Sequence, residues 1–131
     1  MSAFENYRSG DIVEAAEKFI ARMDERDFAT AIGKTERAMD SEGRSALVEA
    51  ILEAFRERGE SSEDAAEGAG TTTDGIALRE PEAVAALLRY AQQNPGLLKE
   101  AATSLIELRP ELLAQFSPDL VDGISARLLR R

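Results

Sequence analysis

Glu49, Glu53 and Glu57 recur every four residues, and Glu60, Glu63, Asp64 and Glu67 prolong the acidic run. Carboxylates at i, i+4 spacing share one face of a helix, so the first three come within side-chain reach of one another. Grouped acids can exchange protons as a general acid–base pair, ligate a hard cation through oxygen, or attract a basic partner.

The rest of the chain narrows that choice. There is no histidine and no cysteine among the 131 residues, which removes the commonest general base, the Ser-His and Cys-His pairings and the usual ligands of zinc. A di-iron carboxylate bundle requires Glu-x-x-His, and the Asp-x-Asp-x-Asp-Gly loop that cages calcium does not occur. No serine stands in Gly-x-Ser-x-Gly or Ser-x-x-Lys. Gly68-x-Gly70 is followed by no lysine and preceded by no strand pattern, so it is not a phosphate loop. Lys18, Lys34 and Lys99 each fall on a helical stretch and read as solvated charges. The sequence assigns no catalytic residue, no metal ligand and no cofactor. An enzyme working through two carboxylates is left as a minor reading, because it needs acids on opposite sides of a cleft.

Partner binding is the leading reading. Like charges at i, i+4 destabilise an isolated helix by a few tenths of a kcal/mol per pair, so solvent, Arg56 and Arg58, or a basic partner must offset Glu49, Glu53 and Glu57. Residues 1–78 hold 18 acids against 9 bases and residues 79–131 hold 7 against 7, so the whole formal charge of -9 lies in the N-terminal part. The candidate bases are Arg127, Arg130 and Arg131, supplied from within the chain, by a neighbouring subunit, or replaced by those of another protein. Attraction to nucleic acid or anionic lipid is disfavoured at this net charge. The alternative reading is a nucleic-acid regulator contacting DNA through those three arginines, or a mimic of nucleic-acid charge.

These residues are positioned by helices. Apolar residues are 44% of the chain while aromatics are 5% and tryptophan is absent, so a core of small aliphatic side chains on helices is expected and the alternating runs of a β-sandwich are missing. Asp11 precedes Ile12, Ala16, Phe19, Ile20 and Met23, the spacing of one buried helical face with Asp11 as N-cap. Asp27 is placed to cap a second helix carrying Phe28, Ile32, Thr35 and Met39. Residues 41–58 form the most regular helix, with Leu47, Ala50, Ile51, Ala54 and Phe55 in a stripe and Gly59 as terminator. Residues 59–78 are small, polar and acidic and read as a long Gly/Thr-rich linker or mobile loop. Pro81, Pro95, Pro110 and Pro118 each open an apolar run, which predicts helices over 81–93, 95–109, 110–116 and 118–130, with Asn94 and Ser117 as caps. The helix over 95–109 is apolar around most of its circumference, as a central helix packed on several sides would be.

The expected fold is all-α, a compact bundle of six or seven short helices in a single domain, with acidic helices over 1–58, a linker over 59–78 and neutral, proline-punctuated helices over 79–131. The longest apolar run, Ala83 to Leu88, is too short to span a bilayer, and the N-terminus lacks a signal-peptide pattern. A cytoplasmic, membrane-free protein-interaction or regulatory adaptor follows. Val121 and Leu129 widen the last apolar stripe, which favours a homodimer.

Overall fold

The computed structural model describes Phe4 and residues 7–130, and among these the backbone forms helices and no strand. In chain order they are α1 (Ser9–Arg22), α2 (Glu25–Ala38), α3 (Ser41–Glu57), α4 (Ser62–Ala69), α5 (Thr73–Ala77), α6 (Pro81–Gln92), α7 (Leu97–Leu108), a 3-10 helix (Pro110–Gln115) and α8 (Pro118–Leu129).

The apolar circumference of α7 makes it the hub. Leu97, Leu98, Ala101, Ala102, Leu105 and Ile106 are buried, and the helix meets α1, α2, α3, α6 and the 3-10 helix. Each fully buried leucine contributes roughly 1.5–3 kcal/mol. Its main partner is α3, which buries Leu47, Val48, Ile51, Leu52, Ala54 and Phe55. One continuous cluster of buried side chains runs from Phe4 to Leu128.

The linker expected over 59–78 is replaced by α4 and α5, and these two raise the helix count above six or seven. Local hydrogen bonds start and stop each of them. Ser61 Oγ accepts the Asp64 N–H at 3.1 Å while Asp64 Oδ2 accepts the Ser61 N–H at 3.1 Å, a reciprocal cap. Gly70, at φ +77°, ends α4 in the left-handed conformation, and Thr72 Oγ1 caps α5 by accepting the Gly75 N–H at 2.9 Å. Ala65, Ala66 and Ile76 are buried where α4 meets α3 and α6 and α5 meets α4 and α6.

Several helix starts also differ from expectation. Asp11 lies in the first turn of α1, whose N-cap is Arg8. Asp24 caps α2 in place of Asp27, because its carboxylate reaches the N–H groups of Arg26 and Asp27 at 2.9 and 3.1 Å. Asn94 does not cap α7: its Nδ2 donates to the Tyr90 carbonyl at 3.0 Å and closes α6, and α7 begins after Gly96 at φ +79°. Pro81, Pro110 and Pro118 do open helices. Ser117 stands at the N-cap of α8 without a side-chain capping bond. Its N–H donates instead to the buried Thr35 Oγ1 at 2.9 Å, tying α8 to α2.

Candidate interaction surface

With one stripe of α3 buried on α7, Glu49, Glu53 and Glu57 beside it are all exposed. Each has found a different offset for the repulsion built into its spacing. Glu49 Oε1 accepts from Arg79 Nη2 at 2.9 Å, and Glu53 Oε2 from Arg56 Nη1 at 2.8 Å. Glu57 shares a hydrogen bond with Glu100 of α7, and this bond, with partial desolvation and the nearby negative charges of Glu100 and Glu53, holds the Glu57 carboxyl above its ordinary value. Glu100 in turn accepts from Arg58 Nη2 at 3.2 Å. A carboxyl that keeps its proton longer can donate to its neighbour instead of repelling it.

Beside Glu49 and Glu53 runs an open groove of about 310 Å³, with Ala46, Ala50 and Arg56 of α3 on one side and Leu105, Leu108 and Arg109 at the end of α7 on the other. Leu105 is buried, whereas Leu108 is 81% exposed. Arg109 closes the end of the groove, its Nη2 donating to Glu42 at 2.8 Å and its Nε to Glu111 at 3.0 Å. Those bonds, Glu111 first, keep the guanidinium charged beyond its usual range. Glu111 is lowered by its backbone hydrogen bond and then by Arg109. The groove is thus an apolar floor under two exposed carboxylates, with its arginines already engaged.

No protein-family model, no curated protein and no solved structure matches the chain. The surface has to be read from its own chemistry.

Arg127 and Arg130 lie elsewhere. Arg127 sits on α8 and Arg130 is its C-cap; α8 packs chiefly on α1, and the two arginines line a second groove of about 320 Å³ with Glu14, Ala15, Lys18 and Arg22. Among the described residues neither pairs with Glu49, Glu53 or Glu57, so the intramolecular pairing of C-terminal arginines with the acidic face is not made. Arg131 lies outside the described residues. Val121 is half-buried against the core, whereas Leu129 is 76% exposed. Of these two apolar candidates, Leu129 is the exposed one.

Three residues of the acidic face escape a reading by periodicity. Arg79, at φ +57°, is fixed by donating to the Ile76 carbonyl at 2.6 Å and to Ser45 Oγ at 3.3 Å before it reaches Glu49. It follows the stretch that reads as a linker, so spacing alone does not place it. Leu108 looks like one more member of the apolar circumference of α7, and Arg109 like a residue between helices. Lys99 is not a plain solvated charge either: its Nζ donates to the carbonyls of Ala21 and Met23 at the end of α1. Lys18 and Lys34 form exposed pairs with Glu14 and Asp119. Among the described residues no group of three or more acids could hold a metal ion, and no helix is long and apolar enough to cross a membrane.

Proposed function

We propose that the chain is a cytoplasmic protein-interaction module without catalytic activity, and that its groove between α3 and α7 receives a basic, partly apolar segment of another protein or of a second copy. One observation carries the reading: Leu108, 81% exposed, stands at the end of α7 beside the groove that Glu49 and Glu53 line. An exposed leucine beside small side chains gives an incoming apolar residue something to cover, and the carboxylates select for positive charge around it. Isothermal titration with a synthetic peptide of alternating leucine and arginine tests it. Saturable binding is expected, weakened by Leu108→Ser and by the double substitution Glu49→Gln, Glu53→Gln. Binding unaffected by all three changes sinks the proposal.

The nucleic-acid reading draws its support from the gathering of Lys18, Arg22, Arg127 and Arg130 around one groove. It works against a formal charge of -9. A gel shift at low salt with duplex DNA decides it, since phosphate contacts are strongest there. An unshifted band rejects this second reading.

A further inference from the structure

We infer that the groove between α3 and α7 is filled by the α8 end of a second copy of this chain, so that copies associate through unlike patches. This rests on the groove being a docking site and adds the identity of what docks.

The first ground is the segregation of charge. Arg56, Arg58, Arg79 and Arg109, which lie around the acidic face, each hold a carboxylate. Arg22, Arg127 and Arg130 converge with Lys18 on the groove between α1 and α8, and none of the three arginines has an ion pair among the described residues. Lys18 is matched by Glu14 in that groove, so a chain with 25 acids and 16 bases still leaves three neighbouring arginines without a carboxylate partner among the described residues.

The second ground is where apolar surface is left uncovered. The large apolar side chains exposed among the described residues are Leu78, Leu108 and Leu129. Leu108 adjoins Glu49 and Glu53 at the groove, while Leu129 directly precedes Arg130 and lies two residues after Arg127. The ends of α7 and α8 thus each carry one exposed leucine, the first beside the acidic groove and the second on the helix that bears the arginines.

The third ground is capacity. Glu49 spends Oε1 on Arg79 and Glu53 spends Oε2 on Arg56, and their side chains stay 60% and 57% exposed. The second oxygen of each remains an acceptor for an incoming guanidinium, so neither internal pair has to break. Apposing two acidic grooves would set acid against acid, which is why the contact joins groove to α8 end and is not a pairing of like surfaces.

The test is molar mass by light scattering after size exclusion, at about 0.1 M and about 1 M salt, where the screening length falls from about 10 Å to about 3 Å. Four samples are compared: the natural chain, Glu49→Lys with Glu53→Lys, Arg127→Glu with Arg130→Glu, and an equimolar mixture of the two variants. The natural chain should associate at the lower salt and weaken at least about tenfold at the higher. Each charge-reversed variant alone should run as a single chain, and the mixture should regain association, which a variant that had merely lost its fold could not do. Leu108→Ser and Leu129→Ser, which touch no charge, should each weaken association too. A natural chain that stays monomeric at about millimolar concentration, or a mixture that fails to reassociate, overturns the inference. If the natural chain is monomeric but the leucine–arginine peptide still titrates the groove, the docking reading survives and only the second copy is wrong. If neither binds, both are wrong.

Discussion

Gly68 passes so close beneath the ring of Tyr90 that a Cβ at that position would stand 2.4 Å from the ring's Cζ. The ring is held in place, because it stacks on Phe55 with centroids 5.2 Å apart and its hydroxyl donates to Glu60 Oε1 at 2.7 Å. That hydrogen bond, with some burial and the negative charge of Glu60, also raises the Tyr90 hydroxyl above its usual range. Gly68 therefore lets α4 lie flat on α6. Gly68→Ala should destabilise the protein by about 1–3 kcal/mol, the usual range for overpacking, although alanine is the better helix former. Urea unfolding measures it, and a variant as stable as the natural chain contradicts the geometry.

Thr35 and Ser117 predict opposite outcomes from similar substitutions. Thr35 Oγ1 donates to the Ala31 carbonyl at 2.9 Å and accepts the Ser117 N–H. Thr35→Val leaves that buried N–H unpaired, a loss of about 1–3 kcal/mol. Ser117 Oγ is buried with no hydrogen-bond partner among the described residues, so Ser117→Ala should be neutral or stabilising even though serine at an N-cap usually helps. Thermal unfolding of the two variants side by side separates the cases. A marked loss from Ser117→Ala would show that its hydroxyl does cap α8.

Stability should respond to pH through two carboxyl pairs that flank α7. Glu57 is raised by its hydrogen bond to Glu100, and Glu17 by its hydrogen bond to Glu107, followed by burial and the charges of Glu107 and Glu14. A carboxyl raised in the folded state binds its proton more tightly there than in the unfolded chain. Its stabilising contribution is full below the unfolded value and is lost as pH rises through the folded one. Glu111 works the other way, since its lowered value makes it stabilising above the unfolded value and less so as pH falls. Glu57→Gln and Glu17→Gln should therefore raise stability at pH 7 and flatten its change between about pH 4 and pH 7. Denaturation midpoints across that interval check this, and a steeper profile in either variant reverses the assigned sign.

The parts of the fold that were legible in the sequence are those governed by periodicity. The stripes of α1, α3 and α7 and the helix-opening role of Pro81, Pro110 and Pro118 follow from spacing alone. Residues 59–78 read as a linker and fold as helices, because alanine and glycine carry little apolar signal. What orders the segment is the Ser61–Asp64 cap and the burial of Ala65 and Ala66, and the second depends on neighbours distant in sequence. The site divides in the same way. That Glu49, Glu53 and Glu57 share a face is a local property of a helix, whereas their separate settlements with Arg79, Arg56 and Glu100 depend on how helices meet. Arg127 and Arg130 are recognisable as a basic cluster, but that they face α1 and not α3 is a matter of packing.

Leu105 and Leu108 lie one turn apart on α7 and should behave as different kinds of residue. Leu105 is 3% exposed and Leu108 is 81% exposed. Truncating the first removes core contacts and leaves a cavity, so Leu105→Ala should lose about 2–5 kcal/mol. Leu108→Ser touches surface alone and should change stability by less than about 0.5 kcal/mol. The pair separates fold from function in one experiment, because a side chain that contributes little to stability and is still needed for association must be acting at an interface. If Leu108→Ser unfolds the protein as readily as Leu105→Ala, Leu108 belongs to the core and the groove loses its apolar edge.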